Sequence, residues 1–262
     1  MAARAPAPPP ISPGRPRDEP VEGGRRRRGW LRRLVAVLGT LVALLVVVSL
    51  LVWFTSPGVE DARSRTNAQL AQHHAPSIGT RVPGKIAAAL IATEDTRFYS
   101  HSGLDLRGAL RGALSLSKGG ALGGATINAQ LAKLLYTNGE SGFRSSTQEV
   151  ALAVKLDQKY TKRQILAMYF DAAYFGHGAY GLASASQVYF GVSPDRLTWA
   201  QSSMLAGLVN APSAYDPTAH LTLARSRQRH VLDRLVETHV LTKAQGNAIY
   251  AESLNPAIPF GG

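Results

Sequence analysis

The amino-acid sequence predicts an all-α protein with one membrane-crossing helix, and three patterns support this fold class. Apolar residues recur at helical spacing through most of residues 83–240. Runs of alternating β-branched residues, which would indicate strands, are missing. An uncharged apolar stretch at 34–54 precedes the helical region. Glycine-rich segments at 118–124 and 175–181 connect predicted helices.

Residues 1–33 are predicted to form a disordered, basic cytoplasmic tail. Residues 5–20 are rich in Pro, Ala and Arg and have almost nothing to bury. An arginine cluster at 25–33 follows and contributes to the formal net charge of +12. Such a cluster can bind nucleic acid. This one abuts an apolar stretch, where anionic lipid attracts each basic residue by about 1 kcal/mol, so we expect membrane lipid and no nucleic acid as its partner.

The uncharged stretch at 34–54 is predicted to be a transmembrane helix, because a helix of that length spans a hydrocarbon core of about 30 Å. Trp30 and Trp53 flank it, where aromatic rings favour the headgroup level. A cleaved signal peptide is the alternative, but its apolar core would be about 7–15 residues and a small-residue cleavage site would follow. Since the arginines come first, we expect a single-pass protein of the cytoplasmic membrane with its N-terminus in the cytoplasm and everything after Phe54 outside.

The exported part is divided by its patterning. Residues 55–78 are polar with alternating charge and are predicted to form a juxtamembrane helix or stalk. The domain proper is predicted at 79–254, with its first helix after Pro83, where proline suits the first turn. Further helices are predicted at 106–116, 126–135, 147–159, 162–170, 182–190, 199–208 and 221–240, followed by a tail at 255–262. Cysteine is absent, which excludes disulfides, a thiol nucleophile and cysteine metal sites; no metal site is predicted.

Two adjacent carboxylates, Glu94 and Asp95, close an alanine-rich predicted helix. The helix macrodipole is negative at that end and disfavours an acid there. A carboxylate so placed is a candidate general base. The alternative is that both are ordinary solvated acids, which is the commoner fate of such a pair.

A glycine pair at 123–124 leads into a predicted helix that carries a polar stripe. Thr126, Gln130 and Lys133 follow one another at i, i+4 and i+7. A hydroxyl, an amide and an ammonium in line suit phosphate or sugar oxygens, helped by free backbone N–H groups at the helix start. An ordinary amphipathic helix with a solvated face would show the same pattern.

Glu149 precedes a strongly apolar stretch at 150–154. Ser146 lies three residues before it, so the pair fits a capping box in which Glu149 satisfies a backbone N–H. The functional alternative is that an acid enters an apolar helix where neighbouring charges are mainly positive. A buried acid usually needs a partner or a task.

The order and spacing of these segments resemble the peptidoglycan glycosyltransferases, the lysozyme-like family that also forms the N-terminal domain of bifunctional penicillin-binding proteins. The family motif A-T-E-D-x-x-F-x-x-H-x-G-x-D is present in full at 92–105. The motif G-G-S-T-I-T-Q-Q-L-A-K-N is present at 123–134 with four departures: Ala125, Asn128, Ala129 and Leu134. The resemblance covers about 79–254 and implies a lysozyme-like helical domain in a monofunctional biosynthetic enzyme.

The resemblance also implies residue roles. Glu94 would be the general base, and Glu149 would assist a departing diphosphate, directly or through a bound cation. The substrate would be bound by Asp95, Phe98, His101, Thr126, Gln130, Lys133 and Arg144. Family members usually carry Arg-Lys four and three residues before the second glutamate, where this chain has Ser145 and Ser146. That departure implies a weaker hold on the diphosphate and keeps a poorly active, membrane-anchored cell-wall scaffold as a competing hypothesis.

The reaction implied by the resemblance is polymerisation of lipid II into β-1,4 glycan strands, with release of undecaprenyl diphosphate, at the outer face of the cytoplasmic membrane. No cofactor is required for it, although a divalent cation is an option. The partners implied are lipid II, the growing glycan chain and membrane lipid, with penicillin-binding transpeptidases and divisome or elongasome proteins as further candidates. A muramidase is the nearest enzymatic alternative, but a hydrolase needs neither a cationic stripe nor two lipid-linked substrates.

Overall fold

The structure is a computed structural model that describes residues 14, 23–108, 126–137 and 142–261. The chain divides into two compact units, Met1–Leu51 and Val52–Gly262. Within the described residues every regular element is helical, and β pairing there is limited to an isolated bridge between Tyr174 and Tyr180. The predicted all-α class is confirmed.

Helix α1 (Gly23–Thr55) contains the predicted transmembrane segment. Residues 32–55 form the one helix in the described part of the chain that is long and apolar enough to cross a membrane, judged by length and composition. Its leucine and valine side chains are exposed around the helix, for example Leu45 at 67%. An apolar surface on all sides is typical of a helix surrounded by lipid.

The described part of the second unit contains the following helices: α2 (Ala62–Gln72), α3 (Gly84–Glu94), α4 (Ile127–Tyr136), α5 (Phe143–Lys159), α6 (Lys162–Ala172), α7 (Leu182–Phe190), α8 (Trp199–Leu208), α9 (Leu221–Glu237) and α10 (Lys243–Ala251). A 3-10 turn, Pro194–Arg196, lies between α7 and α8. Threonine side chains cap several helix starts because they accept a bond from the backbone N–H of the third helical residue: Thr126, Thr161, Thr198 and Thr242.

Most predicted helices agree with these bounds to within three residues, and there are three differences. Helix α5 begins at Phe143 rather than at 147. Helix α10 was not predicted, although Thr242 and Gln245 form the capping box that signals its start. The helix predicted at 106–116 is helical from Leu106 to Gly108, and its remainder lies outside the described residues.

The core of the second unit surrounds α8. All of residues 200–208 are buried, including the polar Gln201, Ser202 and Ser203, so α8 is covered on every side. Helix α3 packs against α8 and α9, and α4 packs against α5 and α6. These two sets of contacts position the C-terminal end of α3 and one face of α4, where the candidate catalytic residues lie.

Residues 55–78, predicted as a juxtamembrane helix or stalk, belong to the second unit. Helix α2 packs against α6 and buries Ala62, Thr66 and Leu70. These residues follow one another at i, i+4 and i+8 and form a narrow stripe on an otherwise polar helix. The polar composition hides this stripe, and the packing of α2 is a contact that the sequence analysis does not predict.

Two further contacts extend the unit beyond its predicted limits. The carboxylate of Asp171 on α6 accepts hydrogen bonds from the Ser77 hydroxyl (2.5 Å) and from the backbone N–H of Ile78 (2.9 Å). Burial raises the pKa of the Asp171 carboxyl above its ordinary value. At the other end, the Phe260 ring packs edge-on against Tyr189, with ring centroids 6.2 Å apart, so the predicted tail also contacts the core.

Candidate active site

Glu94 is the last residue of α3, and both of its carboxylate oxygens are held. Oε2 accepts a hydrogen bond from Nε2 of Gln130 on α4 (3.1 Å), and Oε1 accepts one from Nη2 of Arg227 on α9 (3.1 Å). The Glu94 side chain is 11% exposed. The alternative that Glu94 is an ordinary solvated acid is therefore wrong. A carboxylate has about four acceptor sites, so a substrate hydroxyl can still bind.

Gln130 is itself oriented by a buried tyrosine. The Tyr169 hydroxyl on α6 donates to Oε1 of Gln130 (2.8 Å), which leaves the Gln130 amide nitrogen directed at Glu94. Burial raises the pKa of Tyr169, and the charge of Glu94 raises it further, so the phenol stays a donor at neutral pH. The two hydrogen bonds therefore run in one direction: Tyr169 donates to Gln130, and Gln130 donates to Glu94.

Asp95, the residue that follows α3, is buried. Its Oδ2 lies 2.8 Å from Nε2 of His101 and accepts a hydrogen bond from the backbone N–H of Ile127 (3.0 Å). These contacts join the end of α3 to the start of α4. Both side chains are 2% exposed, and the pair holds the end of α3 against the start of α4. Contact of Asp95 and His101 with substrate stays a prediction.

Thr126 and Phe98, also predicted to bind substrate, are buried as well. Thr126 caps α4, and its hydroxyl donates to the carbonyl oxygen of Gly103 (2.7 Å). Phe98 is fully buried in the core, with the ammonium of Lys162 4.8 Å from its ring centroid. The polar stripe predicted from Thr126 therefore begins only at Gln130. The glycine pair before Thr126 lies outside the described residues.

Gly103 shows why the first motif needs a glycine at this position. Its φ is +88°, and a Cβ there would lie 2.5 Å from the carbonyl oxygen of Ala153 on α5. Any side chain would push the motif away from α5 or impose an unfavourable backbone conformation. The glycine thus allows this segment to lie close to α5. In that position the carbonyl oxygen of Gly103 accepts a hydrogen bond from the Thr126 hydroxyl.

Glu149 lies inside α5, in its second turn, and is partly buried. Its Oε1 accepts a hydrogen bond from the hydroxyl of Thr137, the residue that follows α4 (2.8 Å). Because α5 begins at Phe143, Ser146 is an internal helix residue. The capping-box alternative for Ser146 and Glu149 is therefore wrong.

One face of α4 thus contacts both glutamates. Gln130, Lys133 and Thr137 lie at i, i+3 and i+7 and share that face. At 1.5 Å per residue, Gln130 bound to Glu94 and Thr137 bound to Glu149 are about 10 Å apart along the helix. Lys133 lies between them and is exposed. No carboxylate in the described ranges is within ion-pair distance of its ammonium.

The first turn of α5 adds a second cation to this region. Arg144 is exposed, five residues before Glu149, and no described acid forms an ion pair with it. The Ser145 hydroxyl donates to the carbonyl oxygen of Gly142 (3.0 Å). Ser145, which stands where the family usually has an arginine, is thus bound to the start of its own helix. Among residues 23–108, 126–137 and 142–261, no group of three or more His, Asp or Glu could hold a metal ion.

Arg227 is the site residue that the sequence analysis missed. It lies on α9 together with Arg234, whose Nε donates to the carbonyl oxygen of Ala92 (3.2 Å). Both guanidinium groups therefore lie at the C-terminal end of α3, where the helix macrodipole is negative and a cation is stabilising. The available signal was the seven-residue spacing of two arginines on a helix whose apolar residues include Val231 and Leu235.

Comparison with known proteins identifies the family to which this site belongs. The family model described as transglycosylase matches residues 63–236, more than half of the chain and all of the site described above. The chain belongs to the transglycosylase family. The resemblance stated from the two sequence motifs is confirmed.

Relatives of this transglycosylase occur in shorter and longer proteins. It is 37% identical over 192 residues to a Cupriavidus necator protein whose name places it among the transglycosylases; the match covers 72% of this chain and 83% of that protein. It is 40% identical over 175 residues to penicillin-binding protein 1A of Neisseria gonorrhoeae, with 66% of this chain matched. The matched part of this chain spans only 22% of the length of that relative. A crystal structure of penicillin-binding protein 1A from Haemophilus influenzae aligns with 51% of this chain and 16% of its own, at 27% identity and a TM-score of 0.36.

Proposed function

We propose that this transglycosylase polymerises lipid II into β-1,4 glycan strands of peptidoglycan and releases undecaprenyl diphosphate. Family membership supports glycosyl transfer in peptidoglycan synthesis as the general activity. The observation that carries the finer proposal is the face of α4, which holds Glu94 and Glu149 about two turns apart with exposed Lys133 between them. The base suits a sugar hydroxyl that acts as acceptor, and the cation and the second acid suit a diphosphate leaving group.

Glu94 acts as the general base in this proposal. Its free acceptor site receives the 4-hydroxyl of one lipid-linked disaccharide, and the carboxylate takes the proton as the hydroxyl oxygen bonds to the anomeric carbon of the donor. Gln130 and Arg227 hold the carboxylate in place from two helices, so little reorientation is needed at the moment of reaction. Attack opposite the leaving group inverts the anomeric carbon and gives the β-1,4 link.

The leaving group is undecaprenyl diphosphate, and breaking its bond to the anomeric carbon leaves both bonding electrons on a phosphate oxygen. Lys133, and Arg144 in the first turn of α5, supply positive charge for that oxygen. Glu149 would assist the departure directly or through a divalent cation. The sugar chemistry itself requires no organic cofactor.

The apolar helix α1 supports a location at the cytoplasmic membrane, with the second unit on its outer face. A domain tethered to the bilayer meets lipid-linked donors and acceptors at high effective concentration. The orientation can be tested with fusions at Leu254. Alkaline phosphatase placed there should be active, and a fluorescent protein that matures only in the cytoplasm should stay dark. The reverse pattern would contradict the proposed orientation and the proposed function together.

Incubation of the purified protein with lipid II, with and without a divalent cation, tests the reaction. The proposal requires a glycan polymer together with released undecaprenyl diphosphate. A muramidase would leave lipid II unpolymerised and would cleave finished glycan. A scaffold, favoured by Ser145 and Ser146 in place of the usual cations, would do neither. Protein partners such as penicillin-binding transpeptidases or divisome and elongasome components belong to the proposal as the proteins that would use its product.

A further inference from the structure

Lys155 on α5 makes an unusual set of contacts with the chain that follows the apolar helix. Its ammonium donates to the backbone carbonyl oxygens of Ser56 (2.8 Å), Trp53 (2.9 Å) and Pro57 (3.2 Å), and it lies 2.9 Å from the Ser56 hydroxyl. The ammonium also lies 5.1 Å from the centroid of the Trp53 ring. All of these residues belong to the unit Val52–Gly262.

The chemistry of a helix end explains this cluster. The last carbonyl groups of a helix have no partner within the helix, and the macrodipole makes that end negative. Helix α1 ends at Thr55, so Lys155 binds one carbonyl oxygen in its last turn, that of Trp53, and the two that directly follow its end, those of Ser56 and Pro57. This charged donor comes from a helix about 100 residues later. An ammonium has three protons, and four acceptors surround this one. Lys155 therefore has no donor left for a substrate phosphate, in contrast to exposed Lys133.

A second side chain holds the same stretch. The hydroxyl of Tyr160, the residue that follows α5, lies 2.9 Å from the carbonyl oxygen of Val59 and 3.0 Å from that of Glu60. The stretch 53–60 is thus bound at two points, by the C-terminal half of α5 and by the residue that follows it. That helix also carries Glu149, six residues before Lys155 and about 9 Å away along the axis.

We propose that Lys155 is a positioning residue for glycosyl transfer. By capping the end of α1, it fixes α5, and with it Glu149, to the point at which the chain leaves the apolar helix. A substrate anchored in the bilayer presents its diphosphate at one height. A glutamate that acts on that diphosphate must then be held at a matching height. The catalytic part of this inference rests on the function proposed above, whereas the structural part does not.

A distance measurement tests the structural part without substrate. The chain contains no cysteine, so two introduced cysteines can be spin-labelled selectively. Phe54→Cys and Ser146→Cys are both at exposed positions, at the end of α1 and in the first turn of α5. In vesicles, the labelled protein should give one narrow distribution of distances between the two labels by pulsed electron paramagnetic resonance. Lys155→Met should broaden it, and Lys155→Arg should keep it narrow because a guanidinium also donates to carbonyl oxygens.

Lys159→Met is the matched control, because Lys159 lies one turn further along α5 and is exposed. It should leave the distance distribution unchanged. An unchanged distribution in Lys155→Met would overturn the proposal. If Lys155→Met does not fold, Lys155→Gln takes its place, since its amide keeps two of the donors and should give intermediate broadening.

Kinetics with lipid II in vesicles test the catalytic part. In Lys155→Met, kcat should fall by roughly ten- to a hundredfold with KM nearly unchanged, because misplacing a catalytic group by about 1 Å costs up to about 10²-fold. Lys155→Arg should recover most of the loss, and Lys159→Met should retain the full rate. A broadened distribution with normal kcat would overturn the link between Lys155 and the reaction. If the unsubstituted protein makes no polymer, the proposed function fails, yet the distance measurement still decides whether Lys155 fixes α5.

Discussion

The two glutamates of this site are held in different ways. Both oxygens of Glu94 accept hydrogen bonds, one from an amide on α4 and one from a guanidinium on α9. From the residues that the structure describes, Glu149 accepts one hydrogen bond, to Oε1, from the hydroxyl of Thr137. Two buried residues, Tyr169 and Asp95, further support the surroundings of Glu94. Glu149 instead lies beside the exposed first turn of α5.

The difference matches what each role demands. A general base must lie within about 2.6–3.2 Å of the proton that it takes, so its position has to be fixed closely. A carboxylate that assists a diphosphate through a bound cation relies on the charge of that cation, and Coulomb interactions fall off slowly with distance. Variants at the first glutamate should therefore be more damaging than matched variants at the second.

Glu94→Gln should have the largest effect. The amide keeps the shape of the side chain but cannot accept the proton, and loss of a general base costs about 10²–10⁴ in rate. Polymerisation of lipid II is the measurement, with circular dichroism and membrane fractionation to show that fold and insertion are unchanged. A rate within a few-fold of the unsubstituted protein would mean that Glu94 is not the base.

Arg227→Met should come next, with a fall in kcat of roughly tenfold or more, because Glu94 loses the charged donor that orients Oε1. Arg227→Lys should restore part of the rate. Arg229→Met is the control, since Arg229 lies on the same helix but stacks over Tyr250 instead. Equal losses in Arg227→Met and Arg229→Met would argue for a general weakening of α9 and against a role at Glu94.

Thr137→Val should have a smaller effect, about fivefold, because it removes one hydrogen bond of about 1 kcal/mol from Glu149. Thr238→Val offers a close control. Both threonines directly follow a helix and lie near the carbonyl oxygen four residues earlier, but only Thr137 contacts a glutamate. A loss in Thr137→Val as large as that in Arg227→Met would contradict the comparison between the two environments.

Restoring the usual cations should have the smallest effect. Ser145→Arg combined with Ser146→Lys should lower the KM for lipid II by about two- to fivefold, since exposed charge contacts contribute about 0.2–1 kcal/mol each. If Arg144 already fills this role, Arg144→Ala alone will raise KM and the double change will add little. Unchanged KM in both variants, measured alongside thermal stability, would show that this turn does not contact the diphosphate.

Local patterns made most of the fold predictable. Helical spacing predicts the ends of α6, α7 and α8 to within two residues, and threonine caps mark the starts of α6 and α8, because both signals depend on residues within one or two turns. Helix α2 was misjudged because its burial depends on α6, about 100 residues later in the chain. Its stripe of three residues is too narrow to stand out from a polar sequence.

The site was predictable only in part, for the same reason. The motifs identified Glu94 and Glu149, but they could not show which polar neighbours face inward. Asp95 and His101 resemble exposed site residues in the sequence, yet they bind each other in the interior. Arg227 became a site residue only through tertiary contact, since 133 positions separate it from Glu94.

The contacts of Asp95 and Thr126 have a consequence for the evolution of this chain. The hydrogen bonds from Thr126 to Gly103 and from Ile127 to Asp95 join both sides of segment 109–125 independently of that segment. Glu94 and α4 thus keep their register through contacts made by residues on either side of that segment. We expect relatives to keep a carboxylate at the position of Asp95 and a hydroxyl at the position of Thr126, because each holds one of these contacts.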